Sequence, residues 1–217
     1  MQESKTRAKV LKKIRQALIH KTKNVYPNLD FESQIYSSSD ETLDVLFAQQ
    51  FTKVNGHFLF CENEIEFIEN IISLAEQKKW SGFLCWEKKI KNILDECHFP
   101  YSSNDSDFSK FEGTVGVTLC ENLIARTGSV IISSKQTSGR RLPVFPDTHI
   151  VLAYTSQLVL EIKDALQNIK LKYGAQLPSM ISAITGPSRT ADIEKTLVQG
   201  AHGPKEIFVF LIDDSRK

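Results

Sequence analysis

The densest run of chemically useful residues is Thr185-Gly186-Pro187-Ser188-Arg189-Thr190-Ala191-Asp192-Ile193-Glu194. It sits between an apolar run and a stretch whose pattern predicts a helix over Thr190–Val198. Glycine at such a point permits a tight turn and close backbone approach. Ser188 and Thr190 are good helix caps, and free amides at a helix start attract anions. Read this way, Gly186, Pro187, Ser188, Arg189 and Thr190 form a phosphate or carboxylate cradle, with Arg189 as a bidentate fork. Against this, Asp192 and Glu194 would fall in the same first turn, satisfy the helix dipole and repel an anion. A well-capped helix with an Arg–acid pair is the alternative. The string matches neither a P-loop nor a dinucleotide fingerprint.

Three further strings are candidates. In Gly200-Ala201-His202-Gly203-Pro204, glycines flank a histidine that could act as acid, base or ligand near neutral pH, or simply donate to a backbone carbonyl in a turn. In the segment 116–129, Glu121, Asn122 and Arg126 stand among apolar residues. A partly buried Glu121 at a strand end suits a base or nucleophile; a Glu121–Arg126 pair that fixes the turn is the structural alternative. Gly128, Ser129 and Gly203 join the candidate ligand-binding set. In Ser138-Gly139-Arg140-Arg141-Leu142-Pro143, paired arginines suit an anionic ligand, with Arg141 the chosen residue, or form a solvated loop. His149 with Asp147 could be considered for a metal, but no spacing supports it and no metal site is assigned.

These residues need elements to position them. Residues 1–39 read as a basic amphipathic helix over 5–20, with Val10, Leu11, Ile14 and Leu18 on one face, followed by a linker arm. Residues 40–217 read as an α/β domain. Helices are expected over 40–54, capped by Asp40, then 64–79, with Ile65, Ile68, Ile71, Ile72 and Ala75 inward, then 87–96, 121–126 and 157–171. Strands are expected at 57–61, as a buried run, and at 82–86, 115–119, 129–133, 149–153, 180–184 and 206–212. Residues 101–112 read as a surface insertion or flap. Strands alternating with helices argue a mostly parallel sheet.

Net charge is +1 and apolar residues make up 41%, an ordinary globular composition that points to neither nucleic acid nor membrane. No apolar run is long enough for a transmembrane helix and no secretory leader is read, so a soluble, cytoplasmic protein is expected. The four cysteines are widely spaced without a C-x-x-C, which argues against a zinc ribbon or cluster ligand run in this chain.

Taken together, G-V-T-x-C-E-x-x-I-A-R-T-G-S, the basic loop with Arg141 and Pro143, H-I-V-x-A, I-T-G-P-S-R-T-A-D-I-E and V-x-G-A-H-G-P resemble the LUD-domain family, lactate utilization protein C type. The match covers residues 113–212; Arg126 and Ser129 stand where that family usually has Glu and Thr. The resemblance implies a three-layer α/β/α fold with a mostly parallel sheet, like the sugar-phosphate isomerase and CoA-transferase group. It implies a subunit taking part in L-lactate oxidation to pyruvate. The iron–sulfur clusters would reside in partner subunits, with no cofactor in this chain. A small anionic ligand would bind the named residues, with Glu121, Asp192 and His202 as proton-transfer candidates in one shared cleft. The rival readings are a stand-alone enzyme acting on a folate, CoA or sugar-phosphate type substrate, and a non-catalytic interaction module docking through its basic helix.

Overall fold

The computed structural model describes residues 5–19, 28, 40–80, 82–103, 114–193, 196–200 and 202–214, without the side chains of 5, 191–193 and 196–199. The flap expected at 101–112, and Glu194, fall largely or wholly outside these residues. Two compact units divide the chain, Met1–Ser39 and Asp40–Lys217. In the first, Lys5–Ile19 forms helix α1.

The second unit begins with α2 (Leu43–Lys53), β1 (His57–Cys61), α3 (Glu64–Lys78), β2 (Gly82–Cys85) and α4 (Lys88–Glu96). It continues through β3 (Thr114–Leu119), β4 (Asn122–Ile124), β5 (Ser129–Ser133), β6 (Thr148–Tyr154) and β7 (Leu158–Val159). The remainder is α5 (Ile162–Tyr173), β8 (Ile181–Ile184), the antiparallel pair β9 (Arg189–Ile193) and β10 (Thr196–Gln199), and β11 (Glu206–Ile212). A five-stranded sheet of order β1-β11-β6-β3-β2 is parallel throughout. A smaller sheet of order β7-β4-β5-β8 lies alongside.

Alternation along the central strands builds the layers. Ile150, Leu152 and Tyr154, with Phe208, Phe210 and Ile212, face α3 and α4 through Phe67, Ile71, Ile90 and Leu94. Val151 and Ala153, with Ile207, Val209 and Leu211, face α2 through Phe47 and Phe51, and the small sheet through Leu123 and Val130. Behind that sheet, Ile124 and Ile131 pack on Ala165 and Ile169 of α5. Each fully buried large apolar side chain contributes about 1.5–3 kcal/mol. The result is a three-layer α/β/α fold with a mostly parallel central sheet, as expected.

Several elements differ from expectation. Residues 121–126 are not helical: Asn122–Ile124 pair with both β5 and β7, and a single 3-10 turn follows at Ala125–Thr127. The helix expected over Thr190–Val198 is not formed: Arg189–Ile193 and Thr196–Gln199 are antiparallel strands, with Val198 opposite Thr190, consistent with the strand preference of Thr190, Ile193, Thr196 and Val198. Helix α5 begins only at Ile162, because Glu161 and Asp164 form a capping box and Leu158–Val159 is taken up by β4. Helix α2 is entered at Thr42 rather than Asp40. β1 is an edge strand with only Cys61 fully buried. In α3 the inward face uses Phe67, Ile68 and Ile71, while Ile65 and Ile72 are exposed.

Candidate functional site

Parallel strands deliver their carboxyl ends to one edge of the sheet, where ligands of α/β folds gather. Here that edge opens into a cleft of about 460 Å³. It is bounded by Leu119 at the end of β3, Tyr154 at the end of β6, Asp214 just past β11 and Glu87–Lys89 at the start of α4. Beside it lies Glu121, whose side chain is 2% exposed. Its Oε1 accepts from Ser133 Oγ at 2.6 Å and Tyr173 OH at 2.7 Å, and Oε2 accepts from Lys172 Nζ at 2.8 Å. Burial alone would push this carboxyl up, but the bonds from Lys172, Ser133 and Tyr173 outweigh it and hold Glu121 below the ordinary carboxylate range. The same carboxylate raises Lys172 against the opposing effect of its own desolvation. Glu121 is therefore an ionised anchor that fixes one ammonium and one phenol at the cleft wall. Gln157 closes the floor: its Nε2 donates to the Cys120 carbonyl at 2.7 Å and its Oε1 accepts from Tyr154 N at 2.8 Å.

Across the cleft, Glu87 is 4% exposed. It occupies the N-cap position of α4 yet makes no side-chain cap. Its Oε2 instead accepts from Leu119 N at 3.1 Å, and Ser138 stands against the same carboxyl. Burial pushes this carboxyl up, against the stabilising approach of Ser138 and Leu119 N–H. Two carboxyls at one cleft are thus driven in opposite directions, the pattern that separates an acid from an anion. Glu87, Ser133, Lys172 and Tyr173 were not singled out from the sequence. A glutamate two residues past an apolar strand is the one signal that could have found Glu87; Lys172 and Tyr173 carry none, since they close an ordinary amphipathic helix.

The glycine-rich strings lie elsewhere. Lys205 N donates to the Asp147 carbonyl at 2.7 Å, which puts residues 202–205 beside the amino end of β6. Six residue steps separate that end from Tyr154, about 20 Å of extended chain. Gly186 has φ +81, and a Cβ there would lie 2.2 Å from the Val54 carbonyl oxygen. Arg189 Nη2 donates to that same carbonyl, the C-cap of α2. Ser188 N donates to Pro204 O at 2.9 Å, and Ser188 O accepts from Gly200 N at 3.0 Å. Gly203 rests against Ser188, a Cβ on it meeting Ser188 Cβ at 3.2 Å. Pro187 is buried, Thr190 lies in β9 and His202 is exposed. Asp192 is in β9, its side chain not described. Gly128, at φ +58, fits beneath Phe51 N with no room for a Cβ. Ser129 Oγ bridges Thr127 and Thr185 hydroxyls at 2.7 Å each.

These residues form a clasp between the two strings and the C-terminal end of α2. The helix start that was to cradle an anion is absent, because residues 189–193 are strand. Glu121 is not brought together with Arg189 or His202, so the single shared cleft expected from the sequence is not formed. Glu121 and Arg126 also separate: Arg126 pairs with Glu161 at 3.2 Å. Arg141 lies over the Phe145 ring at 5.5 Å. His149 Nε2 bonds Thr118 Oγ1 at 2.8 Å, and Asp147 pairs with Lys205 at 2.8 Å. Burial lowers His149 to about 3, so it is neutral. Among the described residues no group of three His, Cys, Asp or Glu could hold a metal ion. Cys61 and Cys85 end strands at opposite edges of the sheet, and burial pushes their thiols up to about 11 and about 12. A cluster could not bridge them across four strand spacings, about 19 Å.

Comparison with known proteins picks out the second half of the chain. The model of the LUD domain matches residues 109–212. Those residues, just under half of the chain, are similar to the LUD domain. The lactate utilization protein C of Bacillus licheniformis is 34% identical over 116 residues, 52% of this chain and 48% of that protein. The chain thus spans about half the length of the curated relatives it first matches. Lactate utilization protein C of Halalkalibacterium halodurans is similar over more of the chain, 27% identical across 85% of it and 84% of that protein. The crystal structure of a DUF162 family protein from Deinococcus radiodurans has the same fold, with a TM-score of 0.53 at 17% identity, covering 78% of this chain and 96% of that one. The matched residues hold β3 through β11, including Glu121, Lys172 and the clasp, while Glu87 precedes them. No helix among the described residues is long and apolar enough to cross a membrane.

Proposed function

We propose that this chain is a lactate utilization protein C-like subunit that takes part in L-lactate oxidation to pyruvate with iron–sulfur partner proteins. The observation that carries this reading is the likeness to proteins named lactate utilization protein C, which in one relative runs over 197 residues. The redox centres belong to the partners: the four cysteines of this chain are widely spaced and form no C-x-x-C ligand run. The basic segment of α1 supplies a docking arm, and the cleft at the carboxyl ends of the strands supplies a ligand pocket.

The test is affinity capture of the tagged full chain from native lysate of lactate-grown cells, with mass spectrometry and iron analysis. Recovery of iron–sulfur proteins together with lactate-dependent dye reduction is the expected result. Recovery of the chain alone, with unimpaired growth of a deletion strain on L-lactate, overturns it. Removal of residues 1–23 abolishes capture if the arm docks. A second reading, a stand-alone enzyme for a small anionic substrate, is favoured by one observation: the two carboxyls Glu87 and Glu121 driven in opposite directions at one cleft. Turnover by the purified chain without partners would distinguish it.

A further inference from the structure

Helix α1 belongs to the first unit, and its sequence, KTRAKVLKKIRQALI, holds six Lys or Arg and no acid. Val10, Ile14 and Leu18 recur every four residues and share one face. They are 52%, 50% and 65% exposed, and every other described side chain of α1 except Leu11 is exposed as well. Lys13 and Arg15 stand about 100° to either side of Ile14, at the two borders of the apolar stripe. Lys9 and Lys12 lie on the far side, and Arg7 lies at the amino end of the stripe. A lone helix of this length is marginal in water, and an exposed aliphatic stripe gains by leaving water. Helix α1 is therefore made to lie on a surface.

The residue types say which surface. Protein grooves bind through bulky anchors, with Trp and Tyr over-represented at the energetic centre and Leu and Val under-represented. The stripe of α1 is Val, Ile and Leu, and the helix has no aromatic residue. A groove would also pair the border cations and leave Lys9 and Lys12 unused. An acidic bilayer uses them all, because its potential reaches every cation within a Debye length. The boundary between headgroups and acyl chains accepts a plain aliphatic stripe. Lys13 and Arg15 at its borders can lay their stems on the acyl chains and hold their charges among the lipid phosphates. We propose that α1 is a reversible membrane-surface anchor, lying flat on a bilayer rich in anionic lipid with Val10, Ile14 and Leu18 toward the acyl chains. Its 15 residues rise about 22 Å, short of the ~30 Å hydrocarbon core, so the helix lies on the membrane and does not span it. This use of the arm is separate from partner docking and does not rest on the lactate reading.

The experiment is co-sedimentation of the full chain with vesicles of phosphatidylcholine alone, and of phosphatidylcholine with phosphatidylglycerol in equal parts. Binding to the acidic vesicles is expected to be about tenfold or more stronger than to the neutral ones, and to weaken as salt is raised from about 0.1 M to about 0.5 M. The double variant Ile14→Gln, Leu18→Gln keeps every charge and weakens binding about tenfold or more. The double variant Lys13→Gln, Arg15→Gln keeps the stripe and weakens it to a similar degree, about tenfold. All four positions are exposed, so neither variant removes a core contact. Failure to sediment with acidic vesicles overturns the proposal, as does equal sedimentation with neutral ones. Undiminished binding by Ile14→Gln, Leu18→Gln also overturns it, since charge alone would then act, as with a nucleic acid. If the parent ignores vesicles and that variant loses capture of iron–sulfur proteins, the arm docks a protein: the lipid proposal falls and the lactate reading stands. Vesicle binding with no iron–sulfur capture does the converse.

Discussion

The two ends of the parallel sheet solve different problems. At the amino ends, the clasp of Gly186–Arg189 and Gly200–Pro204 is held by backbone hydrogen bonds and by glycines that admit close approach. At the carboxyl ends, the cleft is made of charged and hydroxyl side chains drawn from α4, the turn after β3, β5 and α5. The clasp draws on two short strings close together in the sequence and specific in residue type, and they are the part most readily recognised. The cleft is scattered and built from common residues. A specific motif here marks where the backbone has no freedom, and the cleft lies about 20 Å away along the strands.

Substitutions at the clasp should act through the backbone and cost stability at any pH; those at the cleft should act through charge and show in the pH dependence. The largest effect is expected for Gly186→Ala. A Cβ there would collide with the Val54 carbonyl at 2.2 Å and hold a left-handed φ, so a loss of about 3–5 kcal/mol is expected in urea denaturation. A loss below about 1 kcal/mol would show that the clasp yields and that the contrast is overstated.

Glu121→Ala comes next. It strands the buried Ser133 hydroxyl and releases Tyr173 and Lys172, at about 2–3 kcal/mol, little of it from the exposed ammonium. Glu121 is lowered in the folded state, so its contribution is present above the ordinary value of 4.5 and is lost as pH falls through the lower folded value. The variant should show a flatter acid limb in stability against pH; an unchanged limb would mean that Glu121 is no anchor.

His149 lies between the two regions, on the face of β6 near Thr118. Its folded value of about 3 against an ordinary 6.5 means that stability is full above 6.5 and falls as pH drops toward 3. The slope is about 1.4 kcal/mol per pH unit. His149→Gln should remove that slope, and a slope that persists would assign the acid sensitivity elsewhere. The smallest effect is expected for Arg189→Ala, which removes the donor to the α2 C-cap and costs about 1 kcal/mol in thermal unfolding. A changed acid limb in this variant would tie the clasp to the charged cleft and break the comparison.

Much of the architecture was legible in the sequence because it depends on local pattern. His57–Cys61, Ser129–Ser133 and Glu206–Ile212 are strands at the bounds their apolar runs suggest. Helices α3 and α4 follow their periodicity, and α3 is closed at its start by the Asn63 side chain. Residues whose structure is decided by distant partners were misread. Asn122–Ile124 looks helical until β5 and β7 pair with it. The segment after Arg189 looks like a capped helix until a strand partner takes its backbone bonds.

The site divides along the same line. From residue types alone came Glu121 as a partly buried carboxyl at a strand end and a glycine at 186 for a tight turn and close approach. Tertiary structure alone decided that Glu121 answers to Lys172 and Tyr173 instead of Arg126, that Arg189 serves α2, and that Glu87 is buried against Leu119 N. The physical reason is range. Steric and propensity effects act over a few residues and are written in the chain, whereas desolvation and charge pairing depend on which segments the sheet order brings together.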